Sequence, residues 1–493
     1  MARPSLASPP LHAPALHQTA SPIGPNQRLA IAAGLIAVVF GLVLVAPMPV
    51  WSGHPPGPPE PGSVPTSADL GVLGLLLPIG FALVLCLPFR PYAWALRPAQ
   101  AAPARVVLGL TAMLALVALL IYPHFGSDIF DYVGFERLWV VYRDNPLVAT
   151  PSGHPSDWSY PFVWFPDRPP AYGPVWVLLT WPIAWLAGDD PTGYVLGYKA
   201  VVLVAYLVSC WLIWANSEAT RRKRALVMYA WSPLVLFDVL GKVHNDVLTG
   251  LTMLAAVVLA SRSRAVPGLL AGVAGALIKL TGLAVAPVLV AHQVRLRRWK
   301  AVCVGLGVAC LVCTLLYLPF WAGPETLRPV LWQTGRFIWS PATLLLAATD
   351  ALPGGSHESA VRLTLAVVWA AGCVLVLRRG RLLTASELAA SSCWLLLLTL
   401  LLLTTAFFAH YLVPVIALAA LAGDRHLDRI VVALSVGALA AYAVELIGLA
   451  AEPGWIGSRG YQVFGSLVLL VPAVIAVGAA RLHAQRPRMN NYG

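Results

Sequence analysis

The chain has 493 residues, 59% of them hydrophobic and only 11% charged, with a mean hydropathy of +0.76. Apolar runs of about 20 residues recur along it, which excludes a set of soluble domains and implies one polytopic membrane domain. The net charge of +12 is spread over short loops between those runs, where it orients spans; no basic, aromatic-interleaved soluble region offers a nucleic-acid surface.

Residues 1–28 are rich in Pro, Ala and Ser and read as a disordered cytoplasmic tail. The first apolar run, 29–50, is long enough to span. No small-residue cleavage site follows it, so an anchor is expected and not a removed signal peptide. Further apolar runs lie near 70–88, 105–122, 192–215, 225–240, 246–260, 266–278, 281–292, 301–320, 360–377, 386–408, 410–422, 429–450 and 461–480. Basic clusters such as Arg221-Arg222-Lys223-Arg224 and Arg295/Arg297/Arg298/Lys300 separate them and should face the cytoplasm.

This arrangement predicts about fourteen crossings, with both ends of the chain cytoplasmic. Residues 29–482 then form a single membrane domain, followed by a tail over 483–493. The segment Val175–Ala187 is apolar but too short for an easy span, so it reads as a half-helix that dips in and returns. Residues 266–292 are flanked by basic clusters at both ends and must form a hairpin, turning near Lys279-Leu280-Thr281-Gly282. The largest outer segment is 123–191, with the half-helix at its end; smaller outer pieces are 51–69, 241–245, 321–359 and 451–460. The seven cysteines all fall inside apolar runs and read as small buried residues, without a disulfide framework.

Three clusters can carry chemistry. The stretch SDIFDYVGFERL puts Asp128, Asp131 and Glu136 into twelve residues of a nearly uncharged chain. On a helix, Asp128, Asp131 and Tyr132 share a face, and paired, partly desolvated carboxylates have a raised pKa in one member, suiting a general base. Helix capping by Asp128 is the competing reading. The second cluster is GKVHND, with Lys242, His244, Asn245 and Asp246 between two spans; capping by Asn245 or Asp246 competes here too. The third is Lys279, an ionisable residue at an apolar hairpin turn, which marks function unless it snorkels to the surface. Of five lysines, Lys199, Lys242 and Lys279 are assigned to the outer half, where a membrane-embedded phosphate would account for them. Arg336 is a further cation, equally readable as a solvated loop charge. Tyr172-Gly173-Pro174 opens the half-helix, and His410-Tyr411 lies where one span turns into the next.

Taken together, SDIFDY…ERL…NPL, AYGPVW, VHND and ALIKLTGLAVAP occur in an order and at spacings that resemble the GT-C superfamily of glycosyltransferases. Within it they are most similar to bacterial polyprenol-phosphate-mannose-dependent alpha-mannosyltransferases, over roughly residues 105–420. The resemblance implies an all-α GT-C-like fold with interfacial and half-helices in a large outer loop. It implies a polyprenyl-phosphate sugar donor, a glycolipid or glycan acceptor, and inversion at the anomeric carbon. It places Asp128 as the base. Asp131, Tyr132, Arg137, Tyr172, Lys242, His244, Asn245, Asp246, Lys279, Arg336 and His410 are the substrate-binding candidates, with Lys279 near the donor phosphate. The chain departs from the family pattern at Glu136, at Leu147 and near His410-Tyr411, where a Pro-Trp-Tyr-like element is absent. No cofactor is implied. A metal shared by Asp128 and Asp246 is conceivable but not demanded by the spacing. A transporter or flippase of lipid-linked sugars, and a ligase without a catalytic carboxylate, are the competing functions. A transporter would place ionisable groups near the midplane in repeated halves, whereas these gather at one side.

Overall fold

The computed structural model describes residues 23–45, 72–123, 128–329, 337–349, 357–450 and 458–485. The expected outer pieces 51–69 and 451–457, the candidate Arg336 and most of both tails lie outside these residues. Among the described residues the regular elements are all helical, and extended pairing is limited to the isolated bridges Ala322 with Pro324 and Ile338 with Ala406. Eight helices there are long and apolar enough to cross a membrane, or nine if a bent pair counts as one span. The polytopic all-α class is thus established. The expected fourteen crossings depend on shorter apolar helices of 10–17 residues, whose length does not decide whether they cross.

The first four helices are α1 (Pro25–Val45), α2 (Val72–Cys86), α3 (Phe89–Ala95) and α4 (Ala104–Leu119). The stretch that raised the catalytic question forms α5 (Ile129–Val140), nearly all of it buried. The segment read as a half-helix forms a 14-residue helix, α6 (Pro174–Ala187), with Gly173 before it, Pro174 at its first position and Gly188 at φ +58° ending it. Next comes α7 (Pro191–Asn216), capped by the Asp190 carboxylate on Thr192 and Gly193 amides at 3.0 and 2.9 Å.

A bent pair follows. The α-helix α8 (Arg222–Ala230) and a π-helical turn (Val235–Gly241) meet at 59°. Such wide turns break the regular ladder and recur at functional sites. The central helix α9 (Asp246–Ser261) packs against α7 and against α10 (Ala265–Ala276). The expected hairpin is present: α10 ends, Lys279 is extended (φ −148°, ψ 130°), and a 3₁₀ turn (Leu280–Val285) leads into α11 (Ala286–Arg295). Its two arms touch at Gly275 and Gly282, where a Cβ on Gly282 would sit 2.3 Å from the Gly275 carbonyl carbon. Only glycine permits so close an approach.

The remaining helices are α12 (Trp299–Tyr317), α13 (Pro341–Thr349), α14 (Glu358–Arg379), α15 (Ala385–Leu398), α16 (Val413–Ala422), α17 (Arg425–Ala450) and α18 (Arg459–Gln485). Thr384 and Glu387 form a capping box that starts α15, and Gly423 at φ +69° stops α16. The main apolar core runs from Leu29 to Leu469, with two smaller clusters, one of Ala342, Leu346, Val361 and Leu365 and one of Leu147, Val177 and Phe320. All seven cysteines are free thiols; Cys303 and Cys310 lie on the exposed face of α12, not in the core as expected. A face of a membrane helix turned to lipid needs only apolar character, which cysteine supplies.

Candidate active site

The polar residues converge where helices start, stop or break. Asp128 begins α5, Tyr172 precedes α6, Lys242 to Asn245 follow the π turn, Asp246 begins α9, and Lys279 sits in the break after α10. Helix ends leave backbone groups unpaired, and irregular backbone at membrane depth survives only where it lines a cavity or is covered by protein. Here it lines a cavity of about 180 Å³, whose wall includes Asp128, Asp131, Tyr172, Lys242, His244, Lys279 and His410. Seven of the twelve sequence candidates are therefore brought to one space.

Local conformation aims these groups. Val243 adopts φ +69°, a left-handed conformation unusual for a β-branched residue, and is itself fully buried. It is held by its amide donating to Val239 O at 3.0 Å, while the amides of Lys242 and His244 donate to Phe237 O and Asp238 O at 2.8 and 3.0 Å. The sharp reversal sends both Lys242 and His244 to the cavity wall. Strain of this kind persists where surrounding structure over-determines it.

Neither capping reading holds. The Asp128 side chain makes no cap bond; its Oδ2 accepts from the Tyr172 hydroxyl at 2.9 Å and lies 3.5 Å from His244 Nδ1. Asn245 likewise caps nothing, and the Asp246 carboxylate receives both hydrogen bonds from Lys279 Nζ, at 3.0 and 2.9 Å. The Asp128 side chain keeps 23% of its surface accessible, whereas His244 is at 1%. His244 and His410 stack at 3.9 Å with 18° between their planes, and His410 Nε2 is 3.9 Å from Asp246 Oδ2.

The two aspartates of α5 titrate in opposite senses. Burial pushes Asp128 up, but His244, His410 and Lys279 outweigh it and hold the carboxyl well below the usual range. Burial and the charge of Asp128 push Asp131 well above that range, despite the 2.7 Å hydrogen bond from the Trp164 amide. The raised member of the pair is thus Asp131, and Asp128 is the ionised one.

Other candidates stand behind the wall or away from it. The Tyr132 hydroxyl accepts from the Asn245 amide at 3.3 Å, and its ring packs on Tyr172 and Trp176 at 5.1 and 4.7 Å. Arg137 turns away: its Nε donates to both Asp157 oxygens at 2.9 Å, and its Nη1 to Gly188 O at 2.8 Å. It fastens the loop to the end of α6. Lys199 also leaves the phosphate argument, because its Nζ donates to the carbonyls of Ile121, Leu240 and Gly241 at 2.7, 2.9 and 3.2 Å. There it neutralises the carbonyl-rich end of the π turn.

Sequence reasoning did not place Trp164, Trp339, Tyr442 or Glu445 at the site, and all four line the cavity. The spacing of Tyr442 and Glu445, three apart in an apolar run, was a signal that one face of α17 is polar. Asp128, His244 and His410 offer ligand atoms within 4.8 Å of one another and are the described residues that can hold a metal. Nitrogen lone pairs lie in the ring planes, so two nearly parallel stacked imidazoles do not converge on one point without a ring turning.

The family model described as alpha-(1->6)-mannopyranosyltransferase, N-terminal domain, matches residues 28–295, more than half of the chain. A probable alpha-(1->6)-mannopyranosyltransferase of Mycolicibacterium smegmatis is 28% identical over 155 residues, which is 29% of this chain and 27% of that protein. An alpha-(1->6)-mannopyranosyltransferase of Mycobacterium tuberculosis is 27% identical over 149 residues, 28% of this chain and 24% of that protein. The matched stretch thus spans about a quarter of the length of these relatives. Because that family model covers more than half of the chain, this chain belongs to the alpha-(1->6)-mannopyranosyltransferase family of membrane-embedded glycosyltransferases, and the matched stretch includes Asp128, the His244-Asn245-Asp246 turn and Lys279.

Proposed function

We propose that this protein moves mannose from a polyprenyl-phosphate donor to a hydroxyl of a glycolipid or glycan acceptor on the extracytoplasmic face, inverting the anomeric carbon. The observation that carries this reading is Asp128: a carboxylate at a helix start that caps nothing, lines the cavity and is held by a tyrosine hydroxyl.

In the reaction, Asp128 takes the proton of the acceptor hydroxyl. The acceptor oxygen forms a bond to the anomeric carbon as the bond from that carbon to the phosphate oxygen breaks. The bonding pair leaves on the phosphate, whose negative charge grows by one. Lys279 lines the same cavity and supplies positive charge already in place, which lowers the barrier to departure. Its bidentate pairing with Asp246 fixes where that charge sits. The position of Asp128 at the start of α5 favours its ionised form. A low pKa makes it a weak base in isolation but keeps it ready at any physiological pH.

The test supplies purified protein with labelled polyprenyl-phosphate mannose, or its nucleotide-linked counterpart, and an alpha-mannoside. Transfer from the lipid form alone is expected, and Asp128→Asn should lower it by about a thousandfold. Transfer from the nucleotide form alone, or near-full activity of a folded Asp128→Asn protein, would refute the reading.

A further inference from the structure

The cavity divides by chain segment. One part comes from residues 128–279, inside the family match; the other comes from Trp339, His410, Tyr442, Glu445 and their neighbours, beyond it. The second part holds an unexplained residue. Trp339 has φ +48°, a left-handed conformation that L-residues rarely adopt and that costs energy. It is 5% exposed, and its indole Nε1 has no hydrogen-bond partner, although buried tryptophans ordinarily find one.

The flanking residues enforce this arrangement. The Ile338 amide donates to Thr405 O at 2.8 Å, the Phe407 amide donates to Ile338 O at 2.9 Å, and Ser340 Oγ donates to Thr405 O at 2.9 Å. The ring packs over Gly465, where any Cβ would lie 2.1 Å from Nε1, and against Tyr461 at 5.7 Å. The indole is therefore placed by shape and without a polar tie. Two costs at one residue on a cavity wall point from the outlier to function.

Its surroundings identify the ligand class. Glu445 presents a carboxylate to the same cavity. The Tyr442 hydroxyl, also there, accepts from Lys242 Nζ at 2.8 Å and donates to Asp238 Oδ1 at 2.7 Å. A tryptophan and a carboxylate in the wall of one cavity suit a sugar ring, whose C–H face can meet the indole while its hydroxyls donate to the carboxylate. An isoprenoid chain would set hydrocarbon against the Glu445 carboxylate, so the lipid part of a donor is disfavoured here.

We propose that Trp339 and Glu445 form the acceptor subsite, which takes a neutral mannoside and sets acceptor choice. This rests on the glycosyl-transfer reading, and its test separates the two. Full-length protein in lipid nanodiscs is given octyl alpha-mannoside. Two quantities are read: acceptor KM in transfer from polyprenyl-phosphate mannose, and saturable binding of the radiolabelled mannoside without donor. Trp339→Ala and the isosteric Glu445→Gln should each raise acceptor KM about tenfold or more and weaken direct binding in parallel, with donor KM within about twofold. Unchanged acceptor KM and binding in either folded variant, a rise confined to donor KM, or no saturable mannoside binding by the wild type would each overturn the subsite. If the wild type binds the mannoside through Trp339 and Glu445 yet takes no sugar from the lipid donor, the subsite stands and the donor assignment falls.

Discussion

The Tyr172 hydroxyl donates to Asp128 Oδ2 at 2.9 Å across 44 positions of sequence. The adjacent backbone makes this reach possible: Gly173 and Val175 amides donate to the carbonyls of Ile278 and Leu277, both at 3.1 Å. The segment that carries Tyr172 is thus fastened to the turn that carries Lys279. One crossing of two segments sets both the carboxylate's orienter and the candidate phosphate cation.

Removing only the orienting bond should separate positioning from chemistry. Tyr172→Phe keeps the ring packed on Tyr132 and Trp176 but loses the hydroxyl. We expect kcat to fall about tenfold, far less than with Asp128→Asn, with thermal stability nearly unchanged. Steady-state kinetics beside a thermal melt checks this.

A methyl group should break the crossing. A Cβ at Gly173 would stand 2.2 Å from the Leu277 carbonyl oxygen, a backbone atom that cannot rotate away. Gly173→Ala is expected to cost about 2 kcal/mol or more of stability and to reduce transfer more than Tyr172→Phe does. Wild-type activity and melting in that variant would show that the two segments are not in contact.

The Lys279–Asp246 pair can be dissected by a double-mutant cycle. Lys279→Met leaves a carboxylate at 1% exposure without its partner, which should destabilise the fold by about 3–5 kcal/mol. Asp246→Asn added to it should restore most of that stability, since no buried charge remains. It should restore no activity, because the positive charge facing the cavity is still missing. Recovery of both together would make Lys279 purely structural.

Glu136 gives a pH dependence of known sign. Its carboxyl is pushed up from 4.5 to about 8, chiefly by burial and partly offset by the Thr180 hydroxyl hydrogen bond. Between these values the folded protein holds a proton that the unfolded chain has released, so stability falls as pH rises through that window. Glu136→Gln should flatten the slope and raise stability at pH 8 by a few kcal/mol on the order of the shift. Melting curves from about pH 5 to about pH 8.5 for both proteins measure it.

Membrane embedding, the short apolar helix Pro174–Ala187, the broken hairpin around Lys279 and the family were all legible in the sequence. Each is written in run length, in Gly and Pro placement, or in rare polar residues inside greasy surroundings, and these are local properties. The sequence also named Asp128, but it could not choose between a cap and a base, because both readings use the same residue at the same helix start. Only the tertiary structure removed the cap reading, by bringing Tyr172 and His244 to a carboxylate that makes no cap bond. It likewise withdrew Lys199 to three carbonyls, turned Arg137 to Asp157, and brought Trp339 and Glu445 into the cavity from distant segments. The reason is physical: whether a buried polar group is spent on structure or left for a ligand depends on which partners lie within 3 Å or so, and packing, not sequence spacing, selects them.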